Sequence, residues 1–275
     1  MPTVSSRGAE LFYTTRGQGP LCLVPSSIGA GPYERQALPP LPDHLRLAFV
    51  ELRGSGRSTG EPAELTFDLL AEDLEAVRKD LGADRAAVLG HSILGVLAIE
   101  YGRRCPRTVS HVITAGAPPF GDMARLAPLA RAFFQEDASE ERKRLQQEAL
   151  ARLPRDAPPG ALMLAQTPSR FFDARFNPAP LFADASPKGA ALIGHLLGTL
   201  APGWDVTASA DSLQVPLFLA HGRCDYVVPH TLWRGLPEKL PDATFHLFER
   251  SGHQPFFEEP EAFTRAVVDW MQRKR

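Results

Sequence analysis

Cysteine is scarce in this 275-residue sequence, which holds only Cys22, Cys105 and Cys224. A small, odd number builds no disulfide framework, and the spacings match no zinc motif. A reducing cytoplasm is the expected setting. An excess of one charge is also lacking: 30 lysines and arginines stand against 32 aspartates and glutamates, a formal net charge of −2. That balance gives no electrostatic reason to expect nucleic acid or an anionic membrane as a partner. Apolar runs are short. Ile93 to Ile99 is among the longest, against the roughly 20 residues a membrane span needs. The N-terminal stretch MPTVSSRGAELFYTTRG has no apolar core, so no signal peptide is expected. No internal repeat and no low-complexity tract stand out. No two histidines have metal-ligand spacing, so no metal is expected. The expected partner is a small-molecule substrate.

What is present is an ordinary globular composition. Hydrophobic residues make up 44% of the chain and charged residues 23%, enough to bury a full core in one large domain carrying an insertion. The 26 prolines fall mostly between elements. Leu11 to Thr15 and Leu21 to Val24 read as strands around a Gly-Gln-Gly-Pro turn. Leu45 to Leu52 is a third strand. From Thr66 to about Leu81, Phe67, Leu70, Leu74, Val77 and Leu81 recur at helical spacing, and Gly82 stops the run. Ala86 to Leu89 is a strand, Ile93 to Gly102 a helix and Val109 to Thr114 a strand. Alternating strands and helices predict a mainly parallel sheet.

The rhythm breaks from about Gly121 to Ala208. Leu126 to Leu153 is helix-forming, Phe171, Phe172, Phe176 and Phe182 fall in a Pro-interrupted stretch, and Gly189 to Leu200 is an apolar helix candidate. Strands return at Val215 to Ala220 and Thr244 to Phe248. A short helix is expected near Thr231 to Leu240 and an amphipathic one over Glu261 to Arg273. The expected organisation is an α/β core of residues 1–120 and 208–275, with residues 121–207 as a helical cap. Ligands of open α/β sheets bind at the carboxyl ends of the strands, where such a cap would sit.

Ser92 follows a strand and precedes a helix directly. A serine on such a sharp turn exposes its hydroxyl above the sheet, and the next backbone N–H, that of Ile93, is free to hold an oxyanion. Serine needs a base. His253, in Ser251-Gly252-His253, and Asp225, in His221-Gly222-Arg223-Cys224-Asp225, both follow strands and so reach the same sheet edge. The order Ser, Asp, His is that of one established triad arrangement. Each residue has a plainer reading: Ser92 as a helix cap, Asp225 as a turn former, His253 as a loop histidine.

Gly90-His91-Ser92, Asp225 in HGRCDYVVP and His253 in SGHQPFFEEPEAF together resemble the signature regions of the α/β-hydrolase superfamily. Glu51 to Ser58 (ELRGSGRS) resembles that family's D-x-R-G-x-G-x-S loop after the fourth strand. The resemblance spans nearly the whole chain except the cap. It implies cofactor-free hydrolysis of an ester, lactone, amide or C–C bond, with Ser92, Asp225 and His253 catalytic. By position the N–H groups of Ser27 and Ile93 would form the oxyanion hole. Two features depart from the pattern. The usual G-x-S-x-G has Leu94 at its last position, a bulk expected to widen or tilt the turn. The oxyanion loop reads Val24-Pro25-Ser26-Ser27-Ile28-Gly29 where relatives often carry His-Gly-Gly. The Arg53 to Ser58 loop is also like that of proline iminopeptidases, but their Gly-Gly-Ser-Trp-Gly and His-Gly-Gly-Pro-Gly are not here.

The leading expectation is hydrolysis of an ester or lactone of a small-to-medium apolar substrate through an acyl-enzyme, with C–C bond cleavage behind it. The rival class is non-hydrolytic use of the fold, as an elimination or cyclisation enzyme or a ligand receptor. His91 is expected to pack, His221 to brace the Asp225 loop, and His195 to be a core histidine or to line the pocket. Cys224 is a weak alternative nucleophile. Glu136 to Lys143 reads as a solvated helix face. The phenylalanines of the 121–207 segment read equally as a substrate pocket or as that segment's own core. Arg53 to Gly60 lacks the spacing of a dinucleotide loop.

Overall fold

The computed structural model describes residues 2–61, 65–157, 159–208 and 210–274. Its centre is a sheet of eight strands: β1 (Thr3–Ser6), β2 (Ala9–Arg16), β3 (Leu21–Ser26), β4 (Arg46–Glu51), β5 (Ala86–His91), β6 (Val109–Ala115), β7 (Leu217–Gly222) and β8 (Ala243–Phe248). They lie in the order β1-β2-β4-β3-β5-β6-β7-β8. β1 with β2 and β2 with β4 are antiparallel, and every later pair is parallel. The two strands flanking the Gly-Gln-Gly-Pro turn do not pair with each other, because β4 inserts between them.

Period-two alternation divides the core between the two faces of the sheet. Leu23, Val50, Val88 and Leu219 face one apolar layer, while Val24, Phe49, Leu89 and Phe218 face the other. α3 (Phe67–Asp80) and α4 (Ile93–Arg104) cover the first layer through residues such as Leu74 and Val96. α1 (Ala30–Gln36), α2 (Leu41–His44) and the C-terminal α11 (Pro260–Arg273) cover the second, with Trp270 fully buried. Because both faces are covered, β3 and β7 are buried at every residue and read in sequence as continuous apolar runs.

Between β6 and β7 come α5 (Met123–Asp137), α6 (Glu140–Ala151), α7 (Pro159–Ala165), α8 (Thr167–Arg170) and α9 (Lys188–His195). Among the described residues this stretch contains no strand, only an isolated bridge from Phe120 to Asp205. α10 (Pro255–Glu258) precedes α11.

Three expectations needed correction. β1 was not anticipated, because Thr3-Val4-Ser5-Ser6 shows no apolar alternation; it forms by pairing through the Arg7-Gly8 turn. The helix expected near Thr231 to Leu240 is two separate 3₁₀ turns, His230–Trp233 and Pro237–Lys239, since Pro237 has no N–H to continue the first. Glu136 to Lys143 is not one solvated face. α5 ends at Asp137, Ser139 caps α6, and Arg142 turns inward onto the carbonyls of Pro168, Phe171 and Phe172.

Candidate active site

Ser27 follows β3, Ser92 follows β5, Gly116 follows β6, Asp225 lies beyond β7 and His253 beyond β8. The parallel register therefore delivers all of them to the carboxyl edge of the sheet.

Ser92 has φ 55° and ψ −131°, a backbone conformation strained for any residue with a side chain. It is held there on both sides: its N–H bonds Ala115 O at 2.8 Å, and Gly95 N–H bonds Ser92 O at 2.9 Å. The crossing of β5 and α4 is too close for a side chain at position 90, where a Cβ would lie 2.3 Å from Leu94 O and 2.7 Å from Gly95 Cα. Leu94 does not open the turn. Its side chain is buried in the core layer beneath, and only its carbonyl meets Gly90. The Ser92 hydroxyl makes no capping bond to α4, so the helix-cap reading of this serine fails.

Asp225 and His253 are fully buried and joined by a 2.7 Å bond between Oδ2 and Nδ1. The other carboxylate oxygen of Asp225 accepts the N–H groups of Val227 and Val228, both at 2.9 Å. This network fixes the ring, placing the proton on Nδ1 and leaving Nε2 as an acceptor. Nε2 is buried and takes no hydrogen bond from the described residues. Ser92 and His253 thus lie at the same sheet edge with no hydrogen bond between them.

His91 packs, as expected, and also braces. Its ring lies 4.7 Å from that of His253. Nε2 faces His253 O at 3.1 Å, and a carbonyl only accepts, so Nε2 carries the proton and Nδ1 accepts from Tyr33 Oη at 3.0 Å. Burial, helped by the neighbouring His253, holds its pKa well below 6.5. His221 is buried between Phe245 and Trp233, with ring centroids 5.5 and 5.8 Å away, and burial lowers it to about 4. His195 lies away from this centre, half-buried, with Nε2 3.4 Å from Leu65 O. Burial raises the pKa of the Cys224 thiol, which disfavours the thiolate an alternative nucleophile would need.

The loop after β3 is built differently from a glycine-rich one. Ser26 Oγ donates to Gly29 O at 2.6 Å and accepts from Ile28 N. Ala30 N–H bonds the buried Glu51 carboxylate at 3.0 Å, and Ser186 N–H bonds Ile28 O at 2.8 Å. Ser27 is buried within this turn, on the strand next to the one that carries Ser92.

Sequence reasoning missed three features. Gly116 has φ 59°, and a Cβ there would stand 2.7 Å from His253 Nδ1. The carboxylate of Glu258 accepts from Gly252 N, Gln254 N and Phe172 N, bracketing His253 and tying its loop to the segment after α8. Arg170 O accepts His253 N–H at 2.6 Å, and Ser169 O accepts Tyr226 N–H at 3.1 Å. Glu258 had a signal in its position five residues after His253; Gly116 and Arg170 had none. Phe171 and Phe176 settle against each other and against Phe257 of α10, forming a seam and not an open pocket, whereas Phe172 is exposed beneath Arg250.

Among the described residues no group of His, Cys, Asp and Glu is arranged to hold a metal, and no helix is long and apolar enough to cross a membrane.

A family model described as alpha/beta hydrolase fold matches residues 19–260. The AB hydrolase superfamily protein YclE of Bacillus subtilis is 28% identical over 278 residues, 98% of this chain and 97% of its own. The pimeloyl-acyl-carrier-protein methyl ester esterase of Sodalis glossinidius is 30% identical over 239 residues, 86% of each chain. Among solved structures, the proline iminopeptidase of Mycobacterium smegmatis superposes with a TM-score of 0.76 over 99% of this chain and 98% of that one, at 21% identity. A likeness at that identity speaks for the fold alone.

Proposed function

The chain belongs to the α/β-hydrolase family, and from that premise we propose that it is a serine hydrolase cleaving a carboxylic ester of a small-to-medium substrate through an acyl-enzyme. The observation that carries this reading is the buried His253–Asp225 pair, whose acceptor nitrogen has no hydrogen-bond partner among the described residues and lies at the same sheet edge as the strained, uncapped Ser92. The relatives named as methyl ester esterases support an ester over an amide.

In this reading Ser92 Oγ attacks the ester carbonyl while His253 Nε2 takes its proton. The N–H groups of Ile93 and Ser27 hold the developing oxyanion. His253 then returns the proton to the leaving alcohol, and a water activated by the same nitrogen releases the acid. Asp225 keeps the ring oriented and supports the imidazolium. Neutral His91 props His253 from behind through its carbonyl without competing for the proton. Residues 121–207 act as a cap over the site, its strap at 169–172 bonded to both the Asp225 and the His253 loops.

Burst release of p-nitrophenol from short acyl p-nitrophenyl esters tests the reading. The native protein is expected to show an acyl-enzyme burst, and Ser92→Ala and His253→Ala each to lose turnover by a factor on the order of 10⁴ or more. Turnover that survives both substitutions would remove this mechanism.

A further inference from the structure

Three arginines of this protein each grip a carboxylate with one edge of the guanidinium, the Nε–H and Nη2–H pair. Arg7 holds Glu72 that way at 2.6 and 3.1 Å, Arg53 holds Asp73 at 3.0 and 2.7 Å, and Arg78 holds Glu75 at 2.9 and 2.8 Å. Arg170 is built differently. Its Nε is buried and takes no partner among the described residues, and its Nη2 has only a long 3.4 Å bond to Gln166 Oε1. No carboxylate among the described residues lies within ion-pair distance.

The carboxylates of the neighbouring segments are already engaged elsewhere. Asp225 is shared among His253 and the N–H groups of Val227 and Val228. Glu258 is filled by the N–H groups of Phe172, Gly252 and Gln254. Asp137 accepts from Tyr226 Oη. A cation withdrawn from water without a counter-charge is costly, and burial lowers the pKa of Arg170 with only the field of Asp225 opposing it. The Arg170 carbonyl accepts the His253 N–H at 2.6 Å, which seats this residue against the backbone of the proposed base.

We propose that Arg170 reads a carboxylate carried by the substrate itself, so that the preferred ester is the half-ester of a dicarboxylic acid or a similar ester with a second, anionic end. This rests on the serine-hydrolase reading and narrows it. A single guanidinium edge with a single charge matches a carboxylate; a phosphate dianion would call for a second cation.

The test compares kcat/KM for monomethyl esters of a straight-chain dicarboxylic series with kcat/KM for methyl esters of the matching monocarboxylic acids, together with labelling of Ser92 by a neutral fluorophosphonate. The half-ester is expected to be favoured by about tenfold to hundredfold at the best chain length. Arg170→Gln is expected to bring that ratio to near one, and Arg170→Lys to keep part of it. Should Arg170→Gln fold poorly, the unmodified protein gives the same answer: the free dicarboxylic acid should slow Ser92 labelling more than its monoamide. Equal rates at every chain length, or a preference that survives Arg170→Gln, overturns the proposal while leaving the hydrolase intact. Absence of both labelling and turnover removes the hydrolase reading and this one with it.

Discussion

Gly116 illustrates how closely the proposed catalytic residues are seated. Its left-handed backbone suits glycine, and a single methyl at that position would press on His253 Nδ1, the atom bonded to Asp225. Gly116→Ala is expected to lower kcat by about 10²-fold through displacement of the imidazole, and to lower stability by about 1–3 kcal/mol through backbone strain. Steady-state kinetics and denaturant unfolding on the same preparation would separate the two effects; unchanged kcat would mean that the ring tolerates the shift. The placement of Ser92, Asp225 and His253 at one sheet edge was legible in the sequence because each lies in a loop that follows an apolar strand. Gly116 was not, because its constraint is a contact with a ring from a distant part of the chain. Arg170 was one arginine among many; its distinction lies in what surrounds it, which no local pattern encodes.

At the scale of elements, the Arg53–Asp73 pair shows that a family-like motif need not serve the site. Arg53, in the loop after β4, is buried with Asp73 of α3 and also donates to the carbonyls of Ser6 and Arg7, pinning the β1–β2 hairpin to the helix. Glu51 in the same run is the residue that faces the loop after β3. Asp73→Ala would strand a buried guanidinium and is expected to cost about 3–5 kcal/mol in chemical denaturation, while leaving kcat on a p-nitrophenyl ester within a few-fold of native. A cost below about 1 kcal/mol would class the pair with surface bridges. α3 was readable because apolar spacing, a Thr66 cap and a glycine stop agree. β1 and the 230–240 region were not, since one depends on pairing with β2 and the other on how a proline divides it.

Across the whole molecule, covering both faces of the sheet traps imidazoles as well as hydrocarbons. In the unfolded chain His91 and His221 titrate near 6.5, but in the fold His221 is lowered to about 4 and His91 well below 6.5. Below pH 6.5 the unfolded chain therefore binds protons that the folded one refuses, and stability rises with pH. Their contribution is complete above about pH 6.5 and is lost as the pH falls toward 4, with a slope approaching about 1.4 kcal/mol per pH unit for each ring. Thermal melts between about pH 7 and pH 5 should show the decline, and His221→Phe, at a position stacked on Phe245 and tilted against Trp233, should flatten it. An identical slope in that variant would assign the acid sensitivity elsewhere.

The strap from Ser169 to Phe172 bears on how such a molecule can diversify. It lends carbonyls to the backbones of Tyr226 and His253 and receives the Glu258 carboxylate in return. In the proposed reading, substrate choice and catalytic alignment are therefore written into the same few residues. A foreign segment grafted between β6 and β7 would inherit the obligation to hold the histidine, so new specificities are more readily reached by changing side chains along the strap than by exchanging the segment whole.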